Sequence, residues 1–584
     1  MVKSEELNQL ALDARKHADF IWDIAEILRG DYKQADYGKV ILPLTVLRRL
    51  DCVLEPTKQK VLDYLPQLKG KNIQNIDPVL NKVAGLTFHN KSKFDFEKMK
   101  ADHENIASNL KDFINGFSEN AREILDHFGF EEHIHKLDSA DLLYQIIQRF
   151  ADVDLHPKKV SSIQMGYIFE ELIRKFSEIS NETAGEHFTP REVIRLMVNL
   201  LFLDDRDILT KEGIVKTLYD PACGTGGMLS IAEEYLRELN PDSRLEVFGQ
   251  ELNPESYAIC NSDMLIKGEN PTNIKLGNSF TADGLESEKF DYMLSNPPFG
   301  VDWKKIQKKI KDEYESQGEE GRFGAGLPRV SDGALMFLQH MISKMKPSNG
   351  GSRIGIVFNG SPLFTGSAGS GESNIRKWIV ESDMLEAIVA LPDQLFYNTG
   401  IFTYVWIVTN RKPEERKGKV QLINAVSEHF YTKMKKSLGK KRHEISSKQI
   451  EEITKIYGDY KEDKYSKIFD NDDFGYWQIT VERPERDAKG NIVKDNKGKP
   501  KADASLRDTE NVPLKEDIKK YFEREVLPHV PDAWIDESKT RKGYELSFTK
   551  YFYEYKPLRT LEEIKKDILA LEKQTEGMLK EVIE

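Results

Sequence analysis

The chain is short of cysteine, with three in 584 residues, at positions 52, 223 and 260. So few, and so far apart, they exclude a disulfide framework and a cysteine zinc site and point to a reducing compartment. The twelve histidines show no ligand spacing with them, so no metal site is expected. His133-Ile-His135 reads as solvated. No apolar run is long enough to span a membrane as a helix. The opening Met1-Val-Lys-Ser-Glu-Glu is polar and acidic, unlike a secretory signal, so a cytoplasmic location is expected. Positive charge is also scarce: 85 lysines and arginines against 97 acids give a net charge of −12. A partner rich in phosphate would be repelled unless the basic residues gather on one face or a second chain supplies the grip. A true P-loop is missing too. Gly366-Ser-Ala-Gly-Ser-Gly371-Glu372-Ser373 nearly matches, but Glu372 stands where the phosphate-binding lysine belongs. Ser373 is expected to cap the helix that begins at Asn374.

What is present centres on Leu218-Tyr219-Asp220-Pro221-Ala222-Cys223-Gly224-Thr225-Gly226-Gly227-Met228. A short strand precedes it and a stretch of helical spacing follows, the first unit of a doubly wound α/β sheet, whose ligands bind at the strands' carboxyl ends. The glycines run G-x-G-G, unlike the dinucleotide fingerprint, and Asp220 sits at the strand tip. A carboxylate there repels phosphate but suits a cationic amino group. S-adenosylmethionine, with an ammonium, a sulfonium and no phosphate, fits Asp220, Gly224, Thr225, Gly226 and Gly227 better than NAD or ATP. Val247 to Glu251 reads as the second strand, its terminal Glu251 placed to accept ribose hydroxyls. Ile274 to Phe280 reads as a third strand and turn, where Asn278 is a candidate contact to the cofactor's adenine.

Downstream, Phe290 to Ser295 is strand-like and ends in Asn296-Pro297-Pro298-Phe299-Gly300. Methyl transfer to an exocyclic amine needs acceptors that hold the NH2 and turn its lone pair toward the methyl. The side-chain oxygen of Asn296 and the carbonyl of Pro297 can do this. Pro297 and Pro298 fix the turn and offer no competing N–H. Phe299 supplies a face on which a flipped base can stack.

These motifs, Asp220-Pro-Ala-Cys-Gly-Thr-Gly-Gly and Asn296-Pro-Pro-Phe, resemble those of N6-adenine DNA methyltransferases. The order, with Glu186-His-Phe-Thr-Pro first, resembles the gamma arrangement, and the wider pattern resembles the modification subunit of type I restriction-modification systems. The resemblance implies methyl transfer from S-adenosylmethionine to adenine N6 in double-stranded DNA with the target base flipped out. It also implies a separate specificity subunit and a restriction or translocation subunit, and it places Glu186, His187, Phe188, Thr189, Pro190 and Arg191 against the cofactor. Locally, Thr189 reads as a helix N-cap, Pro190 as the first helical residue and Glu192 as the reciprocal partner of a capping box. Three alternatives stay open at this point: cytosine-N4 methylation, where Ser more often replaces Asn296; protein-glutamine methylation, where Tyr usually replaces Phe299; and a DNA-binding subunit that has lost catalysis.

The expected fold is α/β, a Rossmann-like methyltransferase core with an N-terminal helical domain and a C-terminal helical extension. The expected division is 1–160 helical, 161–465 catalytic and 466–584 the extension. In the first, Leu44, Leu47, Leu50 and Leu54 share one helical face, and Arg48 and Arg49 read as a solvated one. Tyr314 to Ser331, rich in Gly, Glu and Arg, reads as a loop beside the active site, either mobile and ordering on DNA or a passive surface loop. Lys433 to His443 is a basic run that reads either as solvated or as tracking phosphate. Asp487 to Ala504 reads as a long hairpin or mobile insertion. Leu561, Ile564, Ile568, Leu571, Thr575, Met578 and Val582 repeat by threes and fours, the seam of a coiled coil for a partner helix, taken here as the specificity subunit.

Overall fold

A computed structural model of the chain describes residues 4–571, apart from 69, 72, 181–188, 348–349, 398, 496–497 and 554–559. Helices Ser4–Trp22, Gly38–Tyr64, Asp77–Ala84, Phe96–Lys100, Ile106–Asn115, Glu119–Asp126, Phe130–Ser139, Leu143–Ala151 and Ser162–Ser180 form the N-terminal part. Leu44, Leu47, Leu50 and Leu54 lie in its core with Phe96, Phe113, Ile146 and Phe150. Arg48 and Arg49 are not on a solvated face. Arg48 donates to the carbonyls of Ala151 (3.0 Å) and Val153 (2.8 Å), at and beyond the end of the 143–151 helix. Arg49, buried, donates to Leu155 and to Val160 (2.7 Å). The 38–64 helix is enclosed on more than one side, and its cations satisfy orphan carbonyls there instead of meeting water. Burial pushes the Arg49 guanidinium down to about 10.

The catalytic part is a nine-stranded sheet. Its strands are β1 (Val215–Asp220), β2 (Arg244–Glu251), β3 (Ile274–Leu276), β4 (Tyr292–Ser295), β5 (Arg353–Phe358), β6 (Leu385–Leu391), β7 (Thr403–Thr409) and β8 (Lys419–Asn424), with the later β11 (Ser466–Asp470) at one edge. Between β8 and β11 the chain makes a separate hairpin, β9 (Thr432–Leu438) with β10 (Lys441–Glu444). The sheet order is β11-β8-β6-β7-β5-β4-β1-β2-β3. Strands β3, β2, β1, β4 and β5 run parallel, and β7 inserts antiparallel between β5 and β6. Strands β5 and β6 are buried along their whole length and are apolar except for Arg353 and Glu386, which pair with each other at 3.0 Å in the interior. Chain order reverses between β1 and β4, so a crevice opens at their carboxyl ends. Helices Arg191–Phe202, Gly227–Leu239 and Pro254–Lys267 pack on this half of the sheet, and Ala258, Ile259 and Leu265 of the last also join the N-terminal core.

Residues beyond β11 hold an element the sequence does not announce. β12 (Gly475–Glu482) pairs antiparallel with β13 (Asp508–Pro513), β14 (Trp534–Ile535) and β15 (Arg541–Tyr544). Between β12 and β13 the chain makes a narrow ladder, with bridges Pro484 to Ala502, Arg486 to Ile492 and Lys494 to Pro500, as the hairpin reading expects. The near-P-loop precedes helix Gly371–Glu381, but the cap is Ser370, whose side chain accepts from the Ser373 N–H. Ser373 instead accepts from Tyr544 N–H (3.2 Å), joining the helix to β15. A second compact unit begins at Ser547 and contains helix Phe548–Tyr551 and a helix over 561–571. On the latter Leu561, Ile568 and Leu571 are exposed. Thr575, Met578 and Val582 lie outside the described residues. No described helix is long and apolar enough to cross a membrane, and no group of metal-ligating side chains occurs among the described residues.

Candidate active site

The site is built on the tips of β1, β2 and β4. Gly224 and Gly226 adopt φ of 54° and 84°, left-handed values that favour glycine. A Cβ at Gly226 would stand 2.8 Å from the Cys260 sulfur, so the 254–267 helix also requires glycine there. Glu251, ending β2, braces this turn: its carboxylate accepts from Gly224 N–H (2.8 Å) and Asn253 N–H (2.7 Å). Asp220 is buried and accepts from Ala222 N–H (3.0 Å) and, across the crevice, from the hydroxyl of Ser295 (2.9 Å). Burial pushes the Asp220 carboxyl up to about 7, beyond what those two donors offset, and the nearby Glu251 adds to the shift.

Two cavities flank the Asp220–Ala222 turn. The smaller is lined by Asp220, Gly224, Thr225, Thr189, Glu170 and Asn296, among others. The larger, about 340 Å³, is lined by Glu251, Leu252, Asn278, Phe280, Pro298 and Phe337, among others. Ala222 borders both. The structure thus brings Asp220, Gly224, Thr225, Gly227, Thr189 and Asn296 to one side of the turn and Glu251, Asn278 and Pro298 to the other. The side-chain oxygen of Asn296 is buried and accepts no hydrogen bond from any described residue. An unpaired buried acceptor is costly in a folded chain, and a ligand that donates to it removes the cost. Pro297 is buried, and the Phe299 ring stands edge-on to Phe396, centroids 6.5 Å apart at 71°.

Several expected roles come out differently. Glu186, His187 and Phe188 lie outside the described residues. Thr189 does not cap the following helix: Pro190 occupies the cap position with no side-chain bond, and the helix begins at Arg191. The Glu192 carboxylate, expected to close a capping box, is taken by the ammonium of Lys441. Arg191 is buried, with its guanidinium 2.9 Å from Glu170 and over the Tyr167 ring at 4.2 Å. Its side chain is therefore committed to the 162–180 helix. The Asn278 side chain accepts from Phe280 N–H (2.9 Å) and Thr281 N–H (3.2 Å), closing the turn that forms the cavity wall.

The sequence reading missed Glu170, Ser295 and the wall behind Phe280. Glu170 lines the smaller cavity, and burial raises its carboxyl against the lowering effect of Arg191. Nothing in the periodicity of its helix marks it out. The segment read as a loop is helical at its start and packed against the cavity wall further on. Helix Gln307–Gln317 precedes Arg322, and Phe323 packs with Trp303, Ile310, Met336 and Phe280. Arg322 donates to the carbonyls of Ser279 (3.0 Å) and Phe280 and pairs with Glu313 (2.6 Å). It also donates to Nδ1 of His340 (3.0 Å), so the other ring nitrogen, Nε2, carries the proton toward Tyr219 Oη at 3.0 Å. Burial first, and Arg322 next, hold the His340 imidazole neutral, down at about 3. Arg322 thus holds the carbonyls of Ser279 and Phe280, two residues that line the larger cavity.

Comparison with known proteins completes the description. The profile of the N-6 DNA Methylase family matches residues 161–479, more than half of the chain. That of the HsdM N-terminal domain matches residues 17–150. The chain is 26% identical to the type I restriction enzyme MjaIX methylase subunit of Methanocaldococcus jannaschii over 447 residues, 74% of this chain and 75% of that one. It is 30% identical to the HindI methylase subunit of Haemophilus influenzae over 264 residues, 45% of this chain and 54% of that one. Its fold superposes on the crystal structure of a type I restriction-modification methyltransferase subunit from Streptococcus thermophilus with a TM-score of 0.60 at 22% identity, covering 78% and 96% of the two chains.

Proposed function

The chain belongs to the N-6 DNA methylase family, and on that premise we propose how its own residues carry out the transfer. It is an adenine-specific DNA methyltransferase of the kind that forms the modification subunit of type I restriction-modification systems. The cytosine and protein-glutamine alternatives have no support in these matches.

The methyl donor in this reading is S-adenosylmethionine, which when bound supplies an electrophilic methyl on a sulfonium. Asp220 and Glu170 suit its cationic amino-acid end, while Glu251, Asn278 and Phe280 line a cavity suited to its nucleoside end. The first free N–H groups of the 191–202 helix suit a carboxylate. The observation that carries the reading is the buried, unpaired oxygen of Asn296 beside Asp220. That oxygen accepts one N6 hydrogen of a flipped adenine and the Pro297 carbonyl accepts the other, which draws the nitrogen lone pair out of conjugation toward the methyl. Phe299, oriented by Phe396, stacks on the base. With Asn296 and Pro297 holding the N6 hydrogens, N6 would take the methyl as the sulfonium's S–C bond broke, and the extra N6 proton would pass to water, so no strong base is required.

We assign the partner role to the C-terminal unit: its exposed apolar side chains suit a helix of a separate specificity subunit, with a restriction or translocation subunit joining that assembly and duplex DNA as the shared substrate. The compact unit ending at Leu546 contains every residue placed in the site. A chain truncated after Leu546 should therefore bind labelled S-adenosylmethionine as the full chain does, yet capture no partner subunit from its own cell. Partner capture undiminished by the truncation would move the interface elsewhere.

A further inference from the structure

The basic run from Lys433 to His443 forms the β9–β10 hairpin, turned at Gly439 with φ of 59°. Two of its lysines are already engaged. Lys433 pairs with Glu428 at 2.6 Å, and Lys441 is buried, bonded to the Glu192 carboxylate and to the carbonyl of Leu395 (2.9 Å). Lys435, Lys436, Lys440 and Arg442 are exposed. Among the described residues no carboxylate pairs with any of the four, in a chain whose acids outnumber its lysines and arginines.

The hairpin is docked on the loop that follows β6. Lys440 N–H donates to the Tyr397 carbonyl (2.8 Å). The N–H groups of Arg442 and His443 both donate to the carbonyl of Gln394, at 2.8 and 3.1 Å. Nδ1 of His443 donates to the Asp393 carbonyl (2.9 Å). Gln394 is held at φ of 53°, a left-handed conformation uncommon for a non-glycine residue. Phe396 of this loop meets Phe299, next to the residues that take the target base. Lys441 ties the other side of the hairpin to the helix following Thr189. Four unpaired cations therefore stand on an arm anchored to both walls of the active site.

We propose that the β9–β10 hairpin is a phosphate-binding arm that grips the DNA backbone beside the flipped adenine through Lys435, Lys436, Lys440 and Arg442. This rests on the DNA methyltransferase reading given above. A chain of net charge −12 must concentrate its attraction for DNA locally. Cations on phosphate release counterions and carry no sequence information, so they set affinity and salt dependence uniformly across sequences.

The test uses the complex of the full chain with its co-purifying subunits, unmodified and with Lys435, Lys436, Lys440 and Arg442 all changed to alanine. Binding to duplex DNA is measured against salt, and methyl incorporation against DNA concentration. The proposal predicts a log–log salt slope shallower by about 3 to 4 and a KM for DNA about tenfold higher or more. It predicts unchanged cofactor binding, subunit content and rate at saturating DNA. A slope that stays put overturns it, as does an equal change when Lys60, Lys71, Lys82 and Lys91 are replaced instead. Loss of a co-purifying subunit at constant slope also overturns it and assigns the arm to a protein partner. If the unmodified complex methylates no adenine and the slope still falls, the activity reading fails and the arm stands. Normal methylation with no change in slope is the reverse result.

Discussion

Asp220 faces two demands. Ending a strand beside Ser295, it must be buried to shape the turn, and burial disfavours its charge; a cationic ligand demands that charge. Unfolded, its carboxyl ionises near the ordinary 3.8, whereas in the fold it does so only near 7. Between those values the folded chain holds one proton more than the unfolded one, so Asp220 contributes stability at low pH that is lost as pH rises through the window. Binding of a cation runs the other way. Affinity for S-adenosylmethionine should climb as pH rises toward about 7 and then level off, and Asp220→Asn should weaken binding and flatten the profile, as read by calorimetry or labelled-cofactor binding. A flat profile in the unmodified protein would contradict this account of the residue. Asp220, its glycines and Asn296 were legible in the sequence because each belongs to a contiguous run whose chemistry is local. Thr189 and Glu192 misled for the opposite reason: a lysine 249 residues away claims the carboxylate that a capping box needs. Glu170 left no trace, since a buried carboxylate on an amphipathic helix carries no periodic mark.

Among the elements, strands β1 to β4 of the central sheet were readable to within a few residues, whereas β8 and β11, at one edge of the sheet, were not. The β12–β15 sheet was not, because β13 is Asp-Thr-Glu-Asn-Val-Pro and only Val512 along it is buried. Composition likewise disguised the segment from Tyr314 to Ser331. Its glycines and charges suggest mobility, but Arg322 places its charge on two carbonyls and a glutamate, with Phe323 beneath it. Arg322→Ala should release this wall of the larger cavity. It should raise the Kd for S-adenosylmethionine by about tenfold, the cost of losing one or two charge-assisted hydrogen bonds, and open the 318–329 stretch to protease. The unmodified segment should resist protease without DNA. Cleavage there in the unmodified protein, as fast as in the variant, would show that Arg322 does not hold it.

For the whole molecule, charge and architecture together describe a protein that handles DNA without being basic. In the reading proposed above, attraction falls to local cations such as those of the β9–β10 arm and to other chains, and sequence recognition to a separate specificity subunit. Net charge was legible, but its distribution was not, because which cations are free depends on carboxylates brought near by the fold. The most direct test of the central claim is methyl incorporation from labelled S-adenosylmethionine into unmethylated DNA, followed by nucleoside analysis. It is run with the chain in complex with its co-purifying subunits, in unmodified form and as Asn296→Ala. The account predicts label in N6-methyladenine and a fall of about 10²–10³-fold or more in the variant, the scale of removing a preorganised partner of the reacting group, with cofactor binding retained. Label in cytosine or in protein, or an Asn296→Ala variant as active as the unmodified chain, would contradict it.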